Sequence, residues 1–303
     1  MGRQVVDCVP NFSEGRDASV IAAIAEAISS APGAAVLGQT SDADHNRSVI
    51  TFAGEPGAVA EGAFRGIERA VAWIDLNRHE GIHPRIGAAD VVPLVPISGV
   101  TMGDCVRLAE QLAERVWREL HVPVYLYEAA ARRPDRANLA NIRRGRFEGL
   151  RDEVHFNAER LPDFGNAALH PTAGACVIGA RKLLIAFNVN LATADLKIAR
   201  SIARKIRFSS GGLEAVKALG LFLESRGYAQ VSVNLTDFEI TPLGAVFDAI
   251  RAEAGRCGVR ISGVELIGLV PRKALESAAG CGLVFGNFGP QLILENQLEK
   301  MLG

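Results

Sequence analysis

KLLIAFNVNLATADLKIARSIARKIRFSSGGLEAVKALGLFLESRGYAQVSVNL (residues 182–235) is the stretch whose periodicity decides the fold. The apolar run Lys182–Asn190 predicts a strand, and Thr193–Phe208 carries a helical period. The turn formers Ser209-Ser210-Gly211-Gly212 then lead into strands at Glu214–Glu224 and Gln230–Leu235. Downstream, Pro242–Cys257 reads as a helix and Arg260–Leu269 as a strand. The order βαββαβ is the split-βαβ, ferredoxin-like signature.

The preceding half alternates in the same way. Strands are predicted at Gln4–Val9, Ala34–Leu37 and Arg47–Ala53, with a helix at Ala18–Ser30. A second helix at Ala58–Ile74 follows the Gly54–Gly57 turn. A strand at Val91–Val95, a helix at Gly103–Leu120 and a short strand at Val122–Tyr127 come next. The charged stretch within Pro134–Pro162 predicts a surface helix and connection. The pattern restarts near Gly179–Lys182, so the expected domains are 1–180 and 181–303, with no residue-level repeat between them. The fold class is α/β (an α+β sandwich): two ferredoxin-like subdomains with helices on mostly antiparallel or mixed sheets.

Bulk chemistry narrows the function. A net charge of −1 leaves no overall field to recruit nucleic acid or an anionic membrane, so any anion site must be local. The five cysteines are odd in number and scattered, which argues for reduced thiols rather than a disulfide framework or a structural zinc. No apolar leader opens the chain and no long apolar run follows, so the sequence reads as cytoplasmic.

The chemistry concentrates in Arg78–Asp90 (RHEGIHPRIGAAD), read here as an active-site loop with His83 as its acid/base. Residues 79–83 spell HExxH, the zinc-peptidase motif, which works only on a helix. Gly81 costs about 1 kcal/mol in a helix interior. Pro84 disfavours helical backbone at His83. That leaves a single imidazole able to give and take a proton near neutrality. Asp42–Ser48 (DADHNRS) is either a hairpin turn or a holder for an amino acid or anion. Asp163–Gly174 (DFGNAALHPTAG) is either a linker or backbone lining a cleft. Gly174 and Gly179 have P-loop spacing, but Ala180-Arg181 stands where Lys-Ser/Thr is required, and no GxGxxG opens a helix. No nucleotide cofactor is expected. Arg200, Arg204, Lys205 and Arg207 form a solvated helix face.

Assembled in order, these strings resemble the glutamate formiminotransferase family. The resemblance runs from Cys8–Gly15 (CVPNFSEG) through Asn46-Arg47, His83–Val91 (HPRIGAADV), Gly99–Met102 and Val122–Tyr127. It continues through Pro162–Gly165, Gly179–Lys182, Ala186–Asn190 (AFNVN), Val231–Leu235 and Gly268–Pro271. It implies two α/β subdomains with the folate in a groove between them, commonly as a homodimer. It also implies transfer of a formimino group from N5 of tetrahydrofolate, the co-substrate, to L-glutamate in histidine breakdown. No metal is implied. His83 maps onto the family's proton donor. The folate-lining segment maps onto Gly165, Asn166, Ala167, Ala168, Leu169, His170, Pro171, Thr172, Ala173 and Gly174. Arg47 or Arg85 would clamp a carboxylate, while Asn46, Asn188 and Asn190 would orient pterin or glutamate. Relatives fused to a cyclodeaminase are longer, so the chain resembles the stand-alone transferase. Ile82 and Gly38-Gln39-Thr40 stand where relatives carry acids. This keeps two alternatives open: a related formyl or formimino transferase with another donor or acceptor, and a non-catalytic folate-binding protein.

Overall fold

Pro10 splits the first strand into β1 (Val5–Cys8) and β2 (Asn11–Phe12), because proline has no N–H to give the ladder. The computed structural model describes residues 3–302, which fall into two units divided between Arg181 and Lys182. In the first unit α1 (Ala18–Ser29), β3 (Ala34–Asp42), β4 (Arg47–Gly54), α2 (Pro56–Trp73) and β5 (Ala89–Ser98) follow β2. Asp17 caps α1 by accepting from the N–H groups of Ser19 and Val20, and Pro56 sits in the first turn of α2.

β4 pairs antiparallel with β3 and β1, and β1 pairs antiparallel with β5, giving the order β3-β4-β1-β5. Each crossover through a helix thus brackets a strand of opposite direction, as a split βαβ requires. The sheet then extends in parallel. After α3 (Met102–Leu120) and β6 (Val124–Glu128), the chain returns through α4 (Leu139–Ile142) and α5 (Arg146–Glu153) to β7 (Cys176–Ala180). β7 lies between β5 and β6, parallel to both, and completes seven strands.

Sequence reading does not anticipate β7. Every residue of CVIGA is buried, as befits a strand with parallel neighbours on both sides, so no alternation betrays it. Its glycine is a packing residue, since a Cβ at Gly179 would stand 2.3 Å from the Tyr127 carbonyl oxygen.

One face of this sheet buries Val6, Phe12, Phe52 and Leu94 against α1, α2 and α3. A fully buried Phe or Leu contributes about 1.5–3 kcal/mol. The opposite face holds a smaller core of Val91, Tyr125, Tyr127 and Val177, covered by Ile142 of α4 and Leu150 of α5. The expectation of a surface connection over 134–162 is therefore corrected. Arg136 and Arg160 are buried there; Arg136 pairs with Asp163 at 2.7 Å, and Arg160 donates to the carbonyls of Asn141 and Arg144.

The second unit runs β8 (Ile185–Leu191), α6 (Leu196–Ile206), β9 (Val216–Leu223), β10 (Tyr228–Leu235), α7 (Leu243–Arg256) and β11 (Ile261–Ile267). α8 (Arg272–Glu276) and α9 (Leu294–Leu302) close it. Its antiparallel order β11-β8-β10-β9 repeats the split-βαβ plan. Ile185, Phe187, Val189 and Leu191 alternate inward against α6 and α7, so Asn188 and Asn190 point to the other face. Among the described residues no helix is long and apolar enough to cross a membrane.

Candidate active site

The β3–β4 hairpin turns through residues 43–46, and Asn46 takes the left-handed conformation (φ 45°) that ends the turn. Asparagine tolerates this better than most residues. Its amide then ties three segments together. Asn46 Oδ1 accepts from the Gly15 N–H at 2.9 Å, and its Nδ2 donates to the Glu80 carbonyl at 2.9 Å. Ile82 N–H donates to the Asp44 carbonyl, so the loop carrying His83 lies along the hairpin. Asn46 thereby ties the hairpin to the His83 loop, and Asp42–Ser48 forms the hairpin turn that the sequence allows.

HExxH lacks the helix that the zinc-peptidase motif needs. Residues 79–83 are not helical. The His79 Nδ1 accepts from Arg85 Nε at 2.9 Å and its Nε2 donates to the Asn46 carbonyl at 2.9 Å, so both ring nitrogens are engaged. Arg85 is buried and occupied: it forks onto Glu148 at 2.9 and 3.1 Å and also donates to the His79 carbonyl. Its role is to hold the loop, and it points its fork at Glu148 rather than at an open surface.

His83 is half-buried, 5.9 Å ring to ring from His45. Its Nδ1 sits 2.8 Å from the Pro84 carbonyl oxygen. A carbonyl only accepts, so Nδ1 carries the hydrogen and Nε2 presents a lone pair. Burial, then the guanidiniums of Arg47 and Arg143 and the neighbouring His45, hold its pKa well below the ordinary imidazole value. The neutral form of His83 is thereby favoured.

Beneath it lies a charge cluster that spacing did not reveal. Asp90, fully buried, accepts from Arg47 Nη1 at 2.7 Å and from Arg143, while its Oδ1 takes the Ile86 N–H. Burial opposes the Asp90 charge, but the two guanidiniums outweigh it and hold the carboxyl below its usual range. Arg47 also donates to Asn11 Oδ1 at 3.1 Å. Arg143 lies in the stretch that reads as surface charge, 53 residues from its partner, so nothing local marks it.

The segment 163–174 belongs to the same unit. Leu76 N–H donates to the Thr172 carbonyl, Asn77 Nδ2 to the Pro171 carbonyl and Ala88 N–H to the Ala173 carbonyl. His170 Nδ1 accepts from the Ala173 N–H at 3.0 Å and fixes the turn. Ala173 and Gly174 are buried scaffold, whereas Gly165, Asn166, Ala167 and Pro171 are exposed, with Ala168, Leu169 and Thr172 between. The segment is thus hydrogen-bonded to the His83 loop rather than being a loose linker. Asn188 and Asn190 lie in the second unit. Asn190 donates to Glu265 Oε1 at 3.1 Å and accepts from Gln230 at 2.8 Å.

Comparison with known proteins accounts for both units. The family model "Formiminotransferase domain, N-terminal subdomain" matches residues 5–181, and "Formiminotransferase domain" matches 186–283. The glutamate formimidoyltransferase of Streptococcus pyogenes serotype M1 is 46% identical over 97% of this chain and 99% of its own. That of Thermoplasma acidophilum is 45% identical over 98% of each. The mouse formimidoyltransferase-cyclodeaminase is 45% identical over 91% of this chain but 52% of its own length, so this chain spans about half of that relative. With both family models matched in sequence order and whole-length relatives at this identity, the chain belongs to the formiminotransferase family.

Proposed function

We propose that this chain transfers the formimino group from 5-formiminotetrahydrofolate to L-glutamate, with His83 as the proton carrier, acting as a cytoplasmic homodimer in histidine breakdown. The glutamate amine attacks the formimino carbon and a tetrahedral intermediate forms. His83 Nε2 takes the proton lost by the amine and returns it to N5, so that the N5–C bond breaks and tetrahydrofolate leaves. The observation carrying this reading is the fixed Nδ1–H of His83 against the Pro84 carbonyl, which leaves the lone pair on Nε2. Positioned proton transfer of this kind contributes about 10²–10⁴-fold. Arg47 supplies positive charge for a carboxylate, and the exposed residues 165–167 supply a surface for the folate.

Purified protein given 5-formiminotetrahydrofolate and glutamate should release tetrahydrofolate. In His83→Ala, turnover should fall about 10²–10⁴-fold with folate binding retained. Full turnover in that variant overturns the role of His83, and transfer only from 5-formyltetrahydrofolate overturns the donor.

A further inference from the structure

The Arg47–Asp90–Arg143 cluster has one positive charge too many. Two guanidiniums converge on a single carboxylate oxygen, with side chains 10%, 12% and 0% exposed for Arg47, Arg143 and Asp90. Asp90 has nothing further to offer, because its second oxygen holds the Ile86 N–H. Arg143 Nε is buried and meets no hydrogen-bond partner. Glu148 is engaged by Arg85. A buried charge without a counter-charge is costly. It is tolerable where an anion arrives during the working cycle.

We propose that this cluster seats the α-carboxylate of the amino-acid acceptor, gripped by Arg143 together with Arg47. The proposal rests on the transferase reading above and adds the acceptor's binding residue. The α-carboxylate is the better fit than the γ because the reacting amine is on the same carbon. Arg47 opens β4 two residues after His45, whose ring lies 5.9 Å from that of His83, so a carboxylate held at these guanidiniums brings that amine towards the imidazole.

The experiment compares glutamate with its α-amide, which keeps only the γ-carboxylate, in the wild type, Arg143→Lys and Arg143→Gln. The wild type should favour glutamate strongly. In Arg143→Gln the KM for glutamate should rise about 10–100-fold, the preference over the α-amide should collapse, and the KM for the folate donor should hold. Arg143→Lys should restore part of the preference. An undiminished preference in Arg143→Gln, or an equal rise in both KM values, overturns the proposal. A wild type that transfers nothing to glutamate fails the functional reading instead.

Discussion

Gly81 lies so close to His45 that a Cβ at position 81 would stand 2.5 Å from the His45 carbonyl oxygen. The same atom would press on the Asn46 Cβ at 2.9 Å. The hairpin and the His83 loop therefore touch through a gap that only hydrogen fills. The glycine that breaks the HExxH helix in sequence is what seats the loop in space.

Gly81→Ala should consequently push the loop off the hairpin and carry His83 with it. A displacement near 1 Å can cost about 10²-fold in rate. Overpacking costs about 1–3 kcal/mol. Steady-state kinetics and a thermal melt of the same sample separate the two effects. A variant with unchanged kcat would show that the contact does not position His83.

Arg85 and Glu148 are unequal partners. Arg85 is 7% exposed at its side chain and Glu148 is 52% exposed. Removing the guanidinium strips His79 and Glu148 of a donor inside the loop, so Arg85→Ala should destabilise by about 2–3 kcal/mol. Glu148→Gln keeps the shape and faces water, so it should cost less than about 1 kcal/mol. Urea midpoints at constant slope test the order. Equal losses would mean that the ion pair, and not the His79 contact, holds the loop.

Gly179→Ala tests the origin of the P-loop-like glycine spacing. A Cβ there meets the Tyr127 carbonyl oxygen at 2.3 Å and its ring carbon at 2.5 Å, both within the β6–β7 pairing. Strand and ring cannot both yield, so the loss should exceed about 3 kcal/mol. Near-normal stability would require β7 to sit differently against β6.

These glycines mark how far the sequence was legible. The βαββαβ order was readable in both halves because alternating apolar runs and helical periods are local signals. β7 escaped because a strand flanked by parallel neighbours is apolar throughout, and Gly179 looked like punctuation. The non-helical path of the His83 loop was readable because Gly81 and Pro84 oppose the helix that HExxH needs. Arg143 was not, because its meaning depends on reaching Asp90 across 53 residues. Composition can count an arginine but cannot say which of many charges turns inward. Arg85 shows the converse: two residues after His83 in sequence, it points its fork at Glu148.

Asp7 gives a prediction with a definite sign. It is 1% exposed on β1, and its Oδ1 has no hydrogen-bond partner. Burial raises its pKa from the ordinary 3.8 to about 7, against the opposing pull of Arg181. The folded chain thus holds the proton more tightly than the unfolded one. Stability from this group is full below about pH 4 and is lost as pH rises to about 7, because the unfolded state ionises first. Three pKa units at 1.36 kcal/mol each amount to about 4 kcal/mol. Asp7→Asn carries no titrating proton, so its advantage over the wild type should grow between pH 4 and 7 and then level off. Melting both proteins across that range reads the effect directly. A difference in Tm that stays constant with pH would show that Asp7 does not titrate in this window.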